Sequence, residues 1–523
     1  MRGIRQGLAC FALAALLVSA PACRKSAAPG GGEPTTLPVI STMPAPAQTK
    51  DTLTLPFAQR DVLNPYAAET ELNRELTPLL YEGLFAIDAT FRAQPVLAEK
   101  ITRQNATQWT VTLKKGRVFH NGKEVTAEDA LYSFNKARAT AYYAARLENI
   151  AKVQVQEGAL AITLKKANEY IAACLDFPVV PAGSAEQGKL AQAKNGYVFT
   201  KSATPAGTGR YQLQDQDSVF TLKYDTRHPG PKPLITTIAF YGLNSTSALL
   251  YGLEMGNFQF AYDTLRDDDV KRVNATAQRT ATTNLIFLVF NQSRAALRDP
   301  KLRAALAACI DKGKALNESF QGYAEAVNTP FPPRWHGIRA EDFAKPFDSA
   351  AARKALEALG YSEVRDGVRA SRYRKLSFTL LVNSSSKAKA AAAKALQSQL
   401  KAFQIGIAIQ ALPQADYEAA AKAGRFDLCL GEIRLTPDCN LSPLLITEGA
   451  ASKGINVWGK ASNAYGLLLQ GLGKPAEFVS AFLDEMPFLP LGYRCGMAVS
   501  VRSMQISAHL WENDLYAGIA EWK

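Results

Sequence analysis

Alternation of apolar and polar positions opens the patterned part of the chain at Thr52-Leu-Thr-Leu55 and predicts a strand there, followed by a turn through Leu63-Asn-Pro-Tyr66. Leu72, Leu76, Leu79 and Leu80 then recur at helical spacing and predict a helix with one apolar face. Gln108 to Leu113 alternates strictly, as a half-buried strand does, and Asn121-Gly122 is the preferred pair for a tight hairpin turn. Thr126 with Asp129 three residues on marks the start of a helix through Leu131, Phe134 and Ala137. Between Asn284 and Asn291 every position is apolar, the signature of a strand buried on both faces. Asp348 and Gly360 are the expected caps of one helix. Beyond it, a strand over Leu376–Val382, a helix over Ser384–Phe403 and a strand over Gly406–Gln410 predict a crossover unit. Phe426, Leu428 and Leu430 share one face while Ile433 and Leu435 are out of step, which predicts a bulge near Gly431-Glu432.

The N-terminus has a different grammar. Arg2 and Arg5 precede an apolar stretch from Leu8 to Ala20, and Ala20-Pro-Ala22 supplies small residues, so residues 1–22 are expected to be a secretory signal peptide. Cys23 follows directly and is the expected site of lipidation. Ala20 stands where a lipoprotein signal prefers Leu, so ordinary cleavage after Ala22 is the alternative. Residues 23–50 are rich in Pro, Gly, Ala, Ser and Thr and are expected to form a flexible tether. At about 5–6 Å times the square root of length, such a tether would span about 30 Å.

At 523 residues the chain is long enough for two or three domains. Hydrophobic residues make up 47% and charged residues 20%, a soluble globular balance. The formal charge of +13 raises nucleic acid as a partner. Basic residues are spread out, however, with no arginine-rich arm and no zinc-finger spacing, so no nucleic acid is expected. A solvated surface or anionic headgroups account for the charge. There is no CxxC pair, and no structural metal or other cofactor is expected. Cys174 and Cys309 sit in apolar helical patterns and read as small core residues. Cys429, Cys439 and Cys495 are candidates for one disulfide. With no Gly-x-Ser-x-Gly elbow, no His-Glu-x-x-His pair and only four histidines, His120, His228, His336 and His509, an enzyme is not expected.

Several of these segments follow one another in a specific order. Leu63-Asn-Pro, Leu80-Tyr-Glu-Gly-Leu-Phe, Pro95-Val-Leu-Ala-Glu, Gly116-Arg-Val-Phe-His-Asn-Gly, Thr126-Ala-Glu-Asp-Ala-Leu-Tyr-Ser and Thr204-Pro-Ala-Gly-Thr-Gly-Arg-Tyr stand in turn. Leu253-Glu-Met-Gly, Asp299-Pro-Lys-Leu-Arg-Ala-Ala-Leu and Phe482-Leu-Asp-Glu-Met-Pro-Phe-Leu-Pro-Leu continue the series. Together they resemble the family 5 extracellular solute-binding proteins of ABC transporters, over roughly residues 52 to 505.

The resemblance implies an α/β fold, a two-lobed periplasmic-binding-protein-like clamp of class II with an additional subdomain in the first lobe. Lobe I would comprise 51–88, 199–284 and 488–523, the subdomain 89–198, and lobe II 285–487. It implies capture of a small peptide-like or other zwitterionic solute between the lobes and delivery to ABC permease subunits, by a monomer held outside the cytoplasmic membrane. Hinge closure would be driven by better ligand contacts in the closed state. A sensing receptor with the same clamp is the alternative, a secreted hydrolase a more distant one, and scarce histidines disfavour nickel.

Peptide-binding relatives often place a Trp and then an amine-holding Asp after the strand that here contains Glu432. This chain has Glu432, Ile433 and Arg434 in the Trp region and Asp438 at a shifted spacing. Glu432 and Arg434 are either a solvent-facing pair or ligand contacts, with Arg434 offering a fork to a carboxylate and Asp438 or Glu432 answering an amine. Asn64 and Asn291 are either amide contacts to the ligand or turn residues. Tyr493 and Arg494 follow the return strand, where relatives place aromatic ligand contacts.

Overall fold

The computed structural model describes residues 50–59, 61–184, 190–193, 196–199, 206–216, 219–243, 248–265, 274–343, 346–446, 462–508 and 510–523. The expected signal peptide, Cys23 and all of the tether except Lys50 lie outside these residues.

Thr52–Ala58 pairs in parallel with Thr237–Leu243, Leu53 opposite Ile238 and Leu55 opposite Phe240. Val219–Tyr224 and Tyr211–Gln216 extend this sheet in antiparallel fashion. Leu53, Leu55, Phe57 and Ile238 share a core with Leu76, Leu79, Leu80 and Trp522. A small second sheet has Gly496–Ser500 between Phe260–Asp263 and Thr276–Thr280.

The helix expected through Leu72 to Leu80 is in fact two single turns, Glu71–Arg74 and Thr77–Leu80. Pro78 has no amide hydrogen for the Arg74 carbonyl, so the helical ladder must restart, and Pro78 sits in the first turn of the second piece. All four leucines are nonetheless buried. Against this corner lies the Gly207-Thr-Gly209 segment. A Cβ on Gly207 would lie 1.8 Å from the Leu80 carbonyl oxygen, and one on Gly209 2.4 Å from the Leu80 carbonyl carbon. Neither glycine has a left-handed φ. Close backbone approach to Leu80 requires both glycines.

The subdomain has its own antiparallel sheet, Ala98–Arg103, Gln108–Leu113, Ala159–Leu164 and Ile150–Gln156 in that spatial order. Thr126 and Asp129 form the expected capping box. The Asp129 amide donates to the Thr126 hydroxyl at 3.3 Å, and the Thr126 amide donates to the Asp129 carboxylate at 2.8 Å. The helix they open, Ala127–Ala139, is followed by Ala141–Leu147, which carries Tyr142 and Arg146. In the expected hairpin only Gly122 adopts a positive φ, and Asn121 does not.

The second lobe is built on a six-stranded sheet in the order Ala324–Ala326, Phe488–Arg494, Asn284–Phe290, Leu428–Arg434, Ser377–Asn383 and Gly406–Leu412. Asn284–Phe290 is central and buried from Leu285 onward, as its apolar run requires. Ser377–Asn383 and Gly406–Leu412 pair in parallel around the helix Lys387–Lys401, the expected crossover unit. Two expectations are corrected here. Leu428–Arg434 pairs residue for residue with Asn284–Phe290, so there is no bulge at Gly431-Glu432. The register shift lies in the return strand, where Ile286 faces Gly492 and Phe287 faces Pro490, leaving Leu491 as the extra residue. Phe488–Arg494 also pairs wholly within the second-lobe sheet, and Gly496 begins pairing in the first. The return crossing therefore falls at Cys495, not at 488. The outgoing crossing falls between Thr280 and Asn284.

All five described cysteines, Cys174, Cys309, Cys429, Cys439 and Cys495, are buried free thiols, so the expected disulfide candidates do not pair. Ile87, Phe91, Ala173 and Trp511 join a core otherwise made of second-lobe residues such as Phe287, Phe331, Trp335 and Leu441. Polar contacts accompany this join. Arg103 donates to the Gln470 carbonyl at 2.7 Å, and the Glu169 amide donates to the Leu469 carbonyl at 2.9 Å.

Candidate ligand-binding cavity

A cavity of 290 Å³ lies where the first lobe, the subdomain, the second lobe and the C-terminal segment meet. The two short turns and the link between them, residues 71–80, supply Glu71, Arg74 and Glu75. The helix Ala141–Leu147 supplies Tyr142, Tyr143 and Arg146, the second lobe supplies Arg434, and the C-terminal segment supplies Trp511 to Ile519.

Three guanidinium groups, one from each of the three folded parts, surround the Tyr142 ring. Their carbons stand 5.2 Å (Arg74), 5.5 Å (Arg146) and 6.0 Å (Arg434) from its centroid. At these distances the ring face attracts cations and holds the group in place. Arg146 is paired with Asp176 at 2.6 Å, and Arg434 with Glu512 at 2.9 Å. Burial opposes the charge of Arg434, but Glu512, Tyr142 and Glu71 together outweigh it and keep the guanidinium protonated. Glu512 also accepts from the amide and hydroxyl of Thr283 at 2.7 and 2.8 Å, so the C-terminal segment is fastened to the outgoing crossing. Arg74 donates to the carbonyls of Ala68 and Glu69. Such a cluster can receive a carboxylate or another planar anion.

Carboxylates line the same space. Glu82, from the Leu-Tyr-Glu-Gly segment, is pushed up by burial, yet His228 at 3.2 Å and Arg117 outweigh this and hold it below the usual range. Asp514 differs. Its carboxylate accepts from the Tyr516 amide at 3.1 Å, and burial raises it to about 6.

Of the residues expected to bind ligand, Arg434 lines this cavity, and the other six are placed elsewhere. Glu432 is neither a surface partner of Arg434 nor a cavity residue. It accepts from Arg494 at 2.7 and 3.2 Å and pairs with Lys389 at 3.0 Å. Burial pushes its carboxyl up, but Lys389 and Arg494 hold it below the usual range. Arg494 additionally donates to the Leu265 carbonyl at 3.0 Å, bracing the first lobe across the return crossing. Asp438 is buried where the subdomain meets the second lobe. It accepts from Asn168 at 2.8 Å and Thr436 at 2.5 Å, while burial keeps its carboxyl above the usual range. Tyr493 is buried and donates to the Pro330 carbonyl at 2.8 Å. Asn291 is fully buried, donates to the Gly424 and Phe426 carbonyls and accepts from Ser293. Asn64 closes its own turn by accepting from the Tyr66 amide at 2.9 Å.

Arg74, Tyr142, Arg146, Glu512 and Asp514 were not anticipated. Tyr142-Tyr143 and Arg146 share one helical face at i, i+3 and i+4 spacing, which is the one local signal they carried. Nothing local marked Glu512 or Asp514.

The family model for bacterial extracellular solute-binding proteins, family 5 (middle part), matches residues 92–443. The glutathione-binding protein GsiB of Salmonella choleraesuis (strain SC-B67) is 26% identical over 336 residues, 62% of this chain and 64% of its own length. The oligopeptide-binding protein AppA of Bacillus subtilis (strain 168) is 22% identical over 379 residues, 70% of this chain and 69% of its own. The match thus spans about two thirds of these curated relatives. Among solved structures, the periplasmic murein tripeptide binding protein MppA in its unliganded open form aligns with a TM-score of 0.68. It is 18% identical, covering 89% of this chain and 95% of that one. The two-lobed clamp is the fold shared with that solved structure, and with the family model matching well over half its length this chain belongs to the bacterial extracellular solute-binding proteins of family 5.

Proposed function

We propose that the chain is the extracytoplasmic substrate-binding component of an ABC importer, and that it captures a short peptide or similar zwitterionic solute in the Tyr142 cavity for delivery to the permease. The observation that carries this reading is the convergence of Arg74, Arg146 and Arg434 on one ring beside the carboxylates of Glu512 and Asp514. One side suits a carboxylate and the other an amine. Relatives named for glutathione, oligopeptide and murein tripeptide binding support the peptide class. At 290 Å³ the cavity is at the small end of ligand pockets, which run from about 300 to 1,000 Å³, and it suits a ligand of two or three residues. Cys23 would hold the protein at the membrane by a lipid anchor, the tether would let it turn, and it would act as a monomer.

The reading is tested by melting the purified protein with di- to hexapeptides, sugars and metal chelates. A ligand selective for the native state raises Tm by mass action, so di- and tripeptides are expected to give the largest shifts. A sugar or chelate shifting Tm while every peptide fails would overturn the peptide class. Intact mass after membrane extraction tests the anchor, since a protein without added lipid on Cys23 would exclude it.

A further inference from the structure

We propose that Asp514 is the anchor for a cationic group of the solute, so that the site selects ligands with a free ammonium; this rests on the Tyr142 cavity being the solute site. Three of the cavity's carboxylates have a cation beside them: Asp176 has Arg146, Glu512 has Arg434, and Glu82 has Arg117. Asp514 has none among the described residues. Its one hydrogen bond there comes from the Tyr516 amide. The side chain is held by a turn in which the Asp514 amide donates to the Trp511 carbonyl at 3.0 Å.

A carboxylate partly shielded from water and without a cation beside it is costly to ionise, and burial raises it to about 6. An ammonium arriving in the cavity relieves that cost. The cavity wall includes Tyr262, Tyr516 and Glu75; its cations are arginines, among them Arg74, Arg146, Arg210 and Arg434, and none of them pairs with Asp514 among the described residues. Electrostatic coupling of Tyr516 to both Glu75 and Asp514 places these groups together, and Tyr262 faces Glu512, Glu75 and Glu71 as well as the guanidinium of Arg434, which Glu512 already neutralises. The preceding residue, Asn513, accepts from the Tyr142 hydroxyl at 3.4 Å. Consecutive residues therefore contact the tyrosine that the guanidinium groups surround and carry a carboxylate with no cation beside it, so one solute in the cavity can meet both. The two acids expected to meet an amine are engaged elsewhere, Asp438 by Asn168 and Glu432 by Arg494 and Lys389.

The test is calorimetric titration of the full chain and of Asp514→Asn with glutathione and tri-alanine, each free and N-acetylated. The unmodified protein is expected to bind the free-amine form about 30-fold more tightly than the acetylated one, the scale of a charge-assisted hydrogen bond. In Asp514→Asn that preference is expected to fall to about threefold or less, through loss of the free-amine affinity. A variant that keeps the preference, or an unmodified protein that lacks it, overturns the anchor and leaves the peptide reading standing. Failure of both free-amine probes to bind overturns anchor and peptide reading together. If Asp514→Asn does not fold, the pH profile of the unmodified protein decides. Free-amine affinity must fall as pH drops through about 6, and a flat profile overturns the proposal.

Discussion

Replacing Glu432 by Gln removes the charge that holds two cations inside the second lobe. Arg494 lies 2.7 Å from one carboxylate oxygen, and Lys389 lies 3.0 Å from the other. The side chains are 14% (Glu432), 8% (Arg494) and 18% (Lys389) exposed, so water screens the group only slightly. Each pair would be worth about 4 kcal/mol at an effective dielectric of about 20, but desolvation takes back much of that. Orphaning a buried partner costs about 3–5 kcal/mol, and the residual exposure argues for the lower end, about 3 kcal/mol. Urea unfolding followed by tryptophan fluorescence should show this for Glu432→Gln. Lys389→Met should cost less, because Arg494 still neutralises Glu432. The double variant should cost less than the sum of the two, because one of the two stranded cations is gone. The carboxyl is held below its unfolded value, so its stabilisation is present above about pH 4.3 and is lost as pH falls through the folded value. Glu432→Gln and the parent should therefore converge on acidification. A Glu432→Gln variant within about 0.5 kcal/mol of the parent at pH 7 would refute the reasoning.

Gly207→Ala places a methyl 1.8 Å from a backbone oxygen that cannot rotate away, so a loss above about 3 kcal/mol or failure to fold is expected. Gly116→Ala, with φ +71° and nothing within 4 Å, should cost only about 1 kcal/mol in the same urea assay; equal costs would contradict this account. Without ligand, Asp514→Asn should raise stability at pH 7–8 by about 1–3 kcal/mol, since the folded carboxyl is raised from 3.8 to about 6. For a raised carboxyl the penalty is complete above the folded value and is relieved as pH falls toward the unfolded one, so the two curves should meet near pH 4. Arg434→Lys keeps the charge beside Glu512 but gives up the planar guanidinium near Tyr142, and is expected to weaken binding of any carboxylate solute by about tenfold with little change in Tm. Calorimetry that finds unchanged affinity would remove Arg434 from the site.

What the sequence determined by itself is whatever short-range rules decide. The strand at Thr52, the Thr126–Asp129 capping box, the buried run after Asn284 and the crossover around Lys387–Lys401 each follow from period, cap or run of neighbouring residues. The ordered motifs resembling family 5 carried the two-lobed fold as well. Short-range rules misread places where a distant backbone intervenes. Nothing local announced that Gly207 packs on the Leu80 backbone, and the bulge assigned to Gly431 belongs to Leu491 because register is a property of two strands. The site was largely illegible for the same reason. Glu432 and Arg434 are two residues apart on one strand and so point alike, yet one meets Arg494 and Lys389 while the other meets Glu512, 78 positions on. A charged side chain's role is set by which charge the fold brings within about 4 Å, and at these separations only the tertiary structure makes that choice.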